Sequence, residues 1–368
     1  MNLIRTGRAA AVLLAGALAL AACGSDSNGS SGASGTSSGG KIACQSGSIK
    51  ASGSSAQKNA MTTWINTYQE ACSGATINYT PSGSGAGVQD FQNNQTAFAG
   101  TDSAASGDDL TKASTRCGSG NQAMNLPMVV GPIAVAYNLP NQNGLVFNPS
   151  VLAKIFSGTI TKWNDPAITA LNSGATLPDA TIVTFHRSDS SGTTDNFTKY
   201  LTAAAGSDWT FSHDKVWKAP GGQGAKGSDG VAAALKSTPN ALGYIEYSFT
   251  QEGGLGVAKI DNGAGPVELT PQNASTMVAS AQVVGTAPDL ALKLDYATKT
   301  PNAYPIVLVT YELTCQKGLS SSDLGLTKSF LTYIASSDGQ GKLDAKSGYA
   351  PLPTDLVSKV NTSISSMS

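Results

Sequence analysis

Three short stretches of the chain combine glycine with serine or threonine where a β-rich run gives way to a helical pattern. They are Gly53-Ser54-Ser55-Ala56, Gly83-Ser84-Gly85-Ala86-Gly87 and Arg187-Ser188-Asp189-Ser190-Ser191-Gly192-Thr193. Each would present hydroxyls and free backbone N–H groups at the positive end of a helix, which is a ready anion site. Helix capping is the simpler interpretation of any one turn alone. Three such turns, one with an arginine directly after a strand, predict a site for a tetrahedral oxyanion.

The composition limits the partners that such a site can serve. The 368 residues contain 23 Lys and Arg against 24 Asp and Glu, so no basic excess is present to neutralise a nucleic-acid backbone. Nucleic acid is therefore disfavoured as a partner. The only histidines are His186 and His213, and the cysteines of the folded part lack the close pairs of a zinc site. We accordingly expect no metal ion and no cofactor.

The N-terminal residues predict export, with 1–22 as a signal peptide. Arg5 and Arg8 precede an apolar run that is too short to span a bilayer comfortably. The run ends in Leu20-Ala21-Ala22-Cys23, which is similar to the bacterial lipobox, where the cysteine is acylated and becomes the new N-terminus. An ordinary signal peptide followed by a chance cysteine is the alternative. Residues 23–40 would then be a Gly/Ser-rich tether, carried by acyl chains such as palmitate at the extracytoplasmic face of a bacterial cell membrane.

Four cysteines remain after this segment, and their even number in an exported chain favours two disulfides. They are Cys44, Cys72, Cys117 and Cys315, for which three pairings exist. We favour Cys44–Cys72 with Cys117–Cys315, because the first bond would join the start of a strand to the end of the following helix.

The elements that must position the three turns alternate between β-rich and helical patterns, which predicts an α/β fold. Ser55 is the predicted N-cap of a helix whose apolar residues recur at helical spacing. The predicted strands cover 75–80, 127–137, 181–185 and 304–311, and the predicted helices include 150–156 and 329–334. Two α/β series in succession suit two lobes with a cleft. Lobe I would comprise 41–137 plus 305–368, and lobe II 138–304.

Six stretches of the folded part together resemble a known family. They cover residues 51–57, 83–88, 98–104, 154–168, 186–193 and 241–249. The run Arg187-Ser-Asp-Ser-Ser-Gly-Thr193 is the most specific of them. The chain resembles the phosphate-binding lipoproteins of high-affinity phosphate ABC importers. The resemblance implies a two-lobed fold of the type II periplasmic-binding-protein class, with the ligand cleft between the lobes.

The same resemblance implies which groups would bind phosphate. The implied ligands are the side chains of Ser55, Ser84, Asp102, Arg187, Ser191 and Thr193 and the backbone N–H groups of Ala56 and Gly192. It also implies that Asp189 orients Arg187. The family often has Thr followed by Phe in the first turn, where this chain has Ser55 and Ala56. The hydroxyl is therefore kept, while the packing beside it differs.

An aspartate among these anion ligands has a physical rationale. Phosphate at neutral pH keeps at least one proton, so its O–H group can donate a hydrogen bond to the Asp102 carboxylate. Fully ionised sulfate would meet that carboxylate with a lone pair and a like charge, at a cost of several kcal/mol. A turn-stabilising aspartate after a strand is the alternative role for Asp102.

Two other functions, dinucleotide binding and phosphate-ester hydrolysis, have weaker support in the sequence. Residues 222–227 match the dinucleotide fingerprint formally, but a proline interrupts the segment that should be a strand, so a glycine-rich surface turn is expected. A phosphatase would need a nucleophile with an adjacent base, or metal ions. Strand alternation turns His186 away from Arg187, and His213 is expected on the surface. We therefore do not expect an enzyme.

The expected function is that of the phosphate-binding component of an ABC importer. Its partners would be inorganic phosphate and a membrane complex of two transmembrane proteins and two ATPase subunits. A binding protein for another tetrahedral oxyanion, sulfate or molybdate, is the first alternative. A secreted phosphatase or a cell-surface adhesion protein is the second.

Overall fold

A computed structural model of the chain describes residues 42–343 and 347–368. The predicted signal peptide, Cys23 and the tether lie outside the described residues. The described part belongs to one compact unit. None of its helices has the length and the apolar character that a membrane crossing requires.

Strands and helices alternate along most of the chain, as the α/β prediction requires. The strands are β1 (Gly47–Gly53), β2 (Ala75–Thr80), β3 (Phe98–Thr101), β4 (Ala123–Asn138), β5 (Val146–Phe147), β6 (Val183–Arg187), β7 (Gln223–Ala225), β8 (Ala241–Glu246), β9 (Gly256–Val257), β10 (Lys259–Asp261), β11 (Pro266–Val267), β12 (Gln282–Val283), β13 (Leu292–Lys293) and β14 (Val307–Cys315). The α-helices are α1 (Lys58–Ala71), α2 (Ser84–Gln92), α3 (Gly107–Arg116), α4 (Pro149–Phe156), α5 (Pro166–Leu171), α6 (Gly192–Ala204), α7 (Gly227–Ser237), α8 (Pro271–Val278), α9 (Ser321–Ile334), α10 (Ser337–Gly341) and α11 (Thr354–Ser365). Single 3₁₀ turns cover Gly206–Asp208 and Tyr247–Thr250.

The main sheet has the strand order β2-β1-β3-β14-β4-β8-β6-β7, with β9 also paired to β4. Strands β1, β2 and β3 are parallel to one another, as are β6, β7 and β8. Strand β14 runs antiparallel to β3 and β4, and β8 runs antiparallel to β4. In each parallel group the turns that follow the strands share one edge of the sheet, which is where α/β folds bind ligands.

The long strand β4 joins the two parallel groups. Its residues 123–132 pair with β14, and its residues 133–138 pair with β8. Nearly every residue of β4 is buried, which fits its continuous apolar sequence. Pairing therefore passes from one group to the other between Pro132 and Ile133. The lobe boundaries near 137 and 305 stay predictions.

Aromatic side chains fill the core on both sides of this junction. Tyr68 of α1 meets Phe330 of α9 edge-on at 5.4 Å between ring centroids. Phe197 of α6 stacks on Tyr244 of β8 at 4.4 Å, and Phe156 of α4 meets Phe197 at 4.9 Å. Such pairs add to the free energy gained by burying the rings. The helices are thereby held against the strands whose ends carry the three turns.

Both disulfides of the favoured pairing are present. Cys44–Cys72 joins the segment before β1 to the end of α1, and its Cα atoms are 5.3 Å apart. Cys117–Cys315 joins the end of α3 to the end of β14 across 198 residues of sequence, with Cα atoms 5.6 Å apart.

Candidate anion-binding site

The start of α6 packs directly against the residue that follows β3. A Cβ atom on Gly192 would lie 2.6 Å from Asp102 Cβ and 2.7 Å from Ser84 Oγ, so this approach requires glycine. Asn196, one turn further along α6, donates from Nδ2 to the backbone oxygen of Asp102 at 2.7 Å. The second and third predicted turns therefore meet at Asp102.

Glycine also brings the second turn against the loop that holds Asp189. Gly83 has a φ of +99°, and a Cβ atom there would lie 2.4 Å from Asp189 Oδ2. The Gly85 N–H group donates to the backbone oxygen of Ser190 at 3.0 Å. The turn before α2 and the turn before α6 thus form one continuous lining.

Asp102 is the buried acid of this lining, with 2% of its surface exposed. Its Oδ1 atom accepts from the hydroxyls of Ser54 and Thr310, the latter at 2.9 Å. Its Oδ2 atom accepts from Ser84 Oγ at 3.2 Å. Burial raises the pKa of Asp102, while the three hydroxyls and the charge of Arg187 act in the opposite direction and favour the carboxylate. Oδ2 keeps lone-pair capacity for a further donor.

Arg187 supplies a permanent positive charge at the end of β6, with 3% of its side chain exposed. Its Nε donates to Asp189 Oδ1 at 2.7 Å, and its Nη2 pairs with Asp189 Oδ2. Burial alone would raise the pKa of Asp189, but the hydrogen bond and charge of Arg187 and the Gly227 N–H group lower it overall. The Tyr244 hydroxyl accepts from the Arg187 backbone N–H group at 3.1 Å. Asp189 therefore fixes one edge of the guanidinium, and the Nη1 edge is the one that can face a ligand.

The first turn of α6 carries free donors. Ser191 is its N-cap and accepts from the Thr194 N–H group at 3.2 Å, and the chain then enters the helix at Gly192. The first N–H groups of a helix have no partner within the helix. Thr193 Oγ1 is buried and has no hydrogen-bond partner among the described residues. A buried hydroxyl without a partner costs free energy, so its presence here favours a ligand that accepts hydrogen bonds.

The first predicted turn is built differently from the expectation. The predicted N-cap role of Ser55 is wrong, because α1 begins at Lys58 and follows Gln57. Ser54 caps this turn instead, accepting from the N–H groups of Ala56 at 3.1 Å and Gln57 at 3.4 Å. The pattern of apolar residues places the capping hydroxyl at Ser55. In the structure Ser54 supplies that hydroxyl, and the helix begins further along, at Lys58.

Ser55 itself reaches the start of α7. Its Oγ accepts from the Ser228 N–H group at 3.0 Å and lies 3.1 Å from Ser228 Oγ. The neighbouring Gly227 N–H group donates to Asp189 Oδ1 at 3.0 Å. The structure thus places Ser55 beside the Arg187–Asp189 pair through α7, while the Ala56 N–H group is engaged by Ser54.

Residues 222–227 are mostly exposed, as expected, but they are not only a turn. They comprise β7 and the start of α7, because Gln223–Ala225 pair in parallel with β6. This pairing carries Gly227 and Ser228 into the candidate site. The signal that marks the other turns, a strand followed by Gly, Ser and a helix, is present here as well. Thr310 and Asn196 also contact Asp102, and no local pattern singles them out.

The histidines take no part in this lining. His213 Nδ1 lies 2.7 Å from Asp195 Oδ1, and half of the His213 side chain is exposed. The ring of His186 stacks on Trp217 at 5.0 Å between centroids. Within 42–343 and 347–368, neither histidine hydrogen-bonds to a hydroxyl group, and no cluster of three His, Cys, Asp or Glu side chains has a geometry that could hold a metal ion.

The chain matches both a protein-family profile and known proteins of similar sequence. Residues 33–338 match the profile of the PBP superfamily domain. The phosphate-binding protein PstS 3 of Mycobacterium tuberculosis is 44% identical, and the alignment covers 100% of both chains.

Solved structures show the same fold at lower identity. A high-affinity periplasmic phosphate-binding protein, bound with phosphate at pH 8.5, superposes with a TM-score of 0.68 at 23% identity and covers 86% of this chain and 93% of its own. A phosphate-binding protein from Stenotrophomonas maltophilia gives a TM-score of 0.67 at 21% identity, with the same coverage. The predicted periplasmic-binding-protein fold is therefore confirmed.

Proposed function

Because the chain belongs to the PstS family of phosphate-binding proteins, within the PBP superfamily, we propose that it binds inorganic phosphate outside the membrane and delivers it to an ABC importer. The eight implied ligands stay proposals at the level of single residues. Of these, the Ser84, Asp102, Arg187 and α6 groups are the ones supported by contacts around a common point.

One observation carries this proposal, namely that a buried acid lies among the donors of an anion site. Arg187, the start of α6 and the unpartnered Thr193 hydroxyl are donors or positive groups, and they suit any tetrahedral oxyanion. Asp102 can contribute only as an acceptor while it is ionised. An anion that still carries a proton satisfies it, whereas sulfate or molybdate does not. The set therefore favours phosphate.

The same geometry favours binding over catalysis. Phosphoryl transfer to a side chain needs a nucleophile with an adjacent base, or metal ions. The hydroxyls of Ser54, Ser84 and Thr310 all donate to Asp102, and that carboxylate is itself needed as the acceptor for the ligand. We propose a solute-binding role and no enzymatic activity.

The proposed partners follow from this role. Contacts from both sides of the ligand would favour one closed arrangement, which the two transmembrane proteins and two ATPase subunits of the importer would recognise. Cys23 would carry the lipid anchor at the extracytoplasmic face. Mass spectrometry of the full chain from membranes tests this point, since Cys23→Ser would abolish the acyl mass and release the protein.

Calorimetric titration tests the function. The full chain, in mild detergent and stripped of endogenous phosphate, is expected to bind phosphate and to give no heat with equimolar sulfate. Thr193→Val should weaken phosphate binding at least about tenfold, the lower value for one hydrogen bond to a charged group. Thr202→Val, on the exposed face of the same helix, is the matched control and should leave the affinity unchanged.

Three results would contradict the proposal. Equal binding of sulfate would indicate a general oxyanion receptor. Release of phosphate from a chromogenic ester, with or without divalent metal ions, would indicate a phosphatase. Absence of heat with either anion would remove the oxyanion function altogether.

A further inference from the structure

The central strand β14 is completely buried but carries a polar face. Thr310, Glu312 and Thr314 alternate along it, and all three are fully buried. Thr310 donates to Asp102 at 2.9 Å, and Thr314 donates to the Ala97 carbonyl at 3.1 Å. Glu312 differs from these neighbours, because neither of its carboxylate oxygens has a hydrogen-bond partner within the described part of the chain. An ionised carboxylate without donors is very costly at such a position.

The pairing of β14 with β3 shows on which face of the sheet the Glu312 side chain lies. Glu312 lies directly opposite Gly100 of β3, and opposite residues share one face of a sheet. A Cβ atom on Gly100 would lie 2.1 Å from Gln57 Nε2 and 2.4 Å from the Tyr79 hydroxyl. The Gln57 side chain is therefore the neighbour of Glu312, and the two are close enough to interact.

The facing groups imply a proton on Glu312. Gln57 Oε1 is also buried without a hydrogen-bond partner among the described residues. Its amide nitrogen is engaged elsewhere, donating to the Tyr79 hydroxyl at 3.0 Å. A carboxylate can only accept, whereas a neutral carboxyl can also donate, so the buried and unpartnered position of Glu312 favours its protonated form.

From Gln57 a chain of hydrogen bonds leads to the candidate site. The Tyr79 hydroxyl donates to the Ser54 backbone oxygen at 2.8 Å. Ser54 Oγ donates to Asp102 Oδ1 and accepts from the Ala56 N–H group. Glu312 is thus connected, through two side chains, to the turn that holds the acid of the anion site.

We propose that Glu312 is a positioning residue that stays protonated while phosphate is bound, so that loss of its proton weakens phosphate binding. The proposal rests on the phosphate-binding function proposed above and assigns a pH response to that site. Glu312 does not touch the ligand but acts through Gln57, Tyr79 and Ser54.

The electrostatics support the same direction. Burial raises the pKa of Glu312, the contact with Gln57 opposes the rise, the charge of Asp102 adds to it, and the net pKa is about 8. Tyr79 and Asp102 are the titratable groups that interact with Glu312, Tyr79 from β2 and Asp102 from the end of β3. Tyr79 stays neutral, because burial holds its pKa well above the ordinary value. A bound anion would add negative charge and raise the pKa of Glu312 again.

Linkage then fixes the sign of the effect. If the anion raises the pKa of Glu312, ionisation of Glu312 must lower anion affinity by the same factor. Below the pKa of the free protein the affinity is independent of this group. Above it, with a pKa of about 8, phosphate affinity falls by at most about tenfold for each pH unit.

Carbon-13 NMR tests the proposal on the unaltered protein. The chain contains five glutamates, at positions 70, 246, 252, 268 and 312, so labelling their side-chain carboxyl carbons gives a simple spectrum. Glu312→Gln identifies the Glu312 resonance by its loss. We expect that resonance to titrate near pH 8 without phosphate and at higher pH with phosphate. Titration in the ordinary range, or a midpoint that phosphate does not move, would overturn the proposal.

Calorimetry of variants supplies the second readout. The ratio of wild-type to Glu312→Gln dissociation constants cancels the titration of phosphate itself. It should be constant from pH 6.5 to 7.5 and rise several-fold by pH 9. Glu268→Gln is the control, since Glu268 is exposed and lies between β11 and α8. It should keep the wild-type pH profile.

The outcomes separate the two proposals. A flat ratio for Glu312→Gln, with phosphate bound normally, would overturn the pH coupling and leave phosphate binding intact. Absence of phosphate heat for the wild type at every pH would overturn the binding function, and the coupling with it.

Discussion

Replacing Asp102 by asparagine should reduce the discrimination between phosphate and sulfate without unfolding the protein. Asparagine has nearly the same shape and keeps an oxygen at the Oδ1 position, where Ser54 and Thr310 donate. Its amide nitrogen would replace Oδ2 and could donate to Ser84 Oγ. The three hydroxyl contacts therefore survive in the variant, and the change is confined to what the ligand meets.

The magnitude follows from the bond that is lost. A hydrogen bond to a charged group contributes about 1.5 to 3 kcal/mol, which corresponds to about 10- to 150-fold in phosphate affinity. Sulfate affinity should rise in the same variant, because a like charge is removed and a donor is added. The ratio of the two affinities should thus fall by at least the phosphate factor.

Calorimetric titration of the full chain with each anion, at fixed pH and salt, measures this ratio. Asp229→Asn is the matched control, since Asp229 is an exposed aspartate whose partner is Lys58, at 2.8 Å. It should leave the ratio unchanged. A wild-type ratio in Asp102→Asn would refute the idea that this carboxylate senses the proton of the ligand.

Three further changes test other parts of the structure. Gly192→Ala would place a methyl carbon 2.6 Å from a side-chain atom across the site and should weaken phosphate binding at least tenfold by calorimetry, whereas Gly174→Ala, with open space around it, should have no effect. Arg187→Lys removes the forked contact with Asp189 and should also weaken phosphate binding at least tenfold; equal affinity would contradict the role of the fork. Replacing Cys117 and Cys315 together by serine should lower the free energy of unfolding by about 5 kcal/mol, because the loop between them spans 198 residues. Denaturant unfolding measures the loss, and a loss below 1 kcal/mol would contradict the loop-closure argument.

Local sequence patterns predicted the strands whose apolar residues follow a regular spacing, but they predicted the strand ends less well. The alternation in 75–80 matches β2 from end to end. The strand predicted over 181–185 is shifted in the structure to Val183–Arg187, because Thr181 forms only an isolated bridge to Lys162. Residues 304–306 are as apolar as β14, yet the ladder begins at Val307. Hydropathy reports burial, and it does not report where strand pairing starts.

The candidate site was predictable only where a turn carries its own signal. Gly192 and Arg187 stand in a distinctive run, so their proximity to a common ligand could be expected from the resemblance. Thr310 contacts Asp102 across 208 residues of sequence, and Ser228 contacts Ser55 across 173. Such contacts depend on the strand order of the folded sheet, which no short pattern encodes. The same holds for Glu312, whose environment is visible only once β14 lies beside β3.

The long-range disulfide has a mechanical consequence. Tension applied to the two ends of the described chain would cross the sulfur atoms from Cys44 to Cys72 and follow the backbone to Cys117. It would then cross to Cys315 and continue to residue 368. The segment between Cys117 and Cys315 would carry none of that force, although it contains Arg187, the start of α6 and β4. The Ser84 turn lies on the path that carries the force, whereas the Cys44–Cys72 bond bypasses the Ser55 turn. Pulling should therefore open the anion site from the side of the Ser84 turn, while the arginine side keeps its fold.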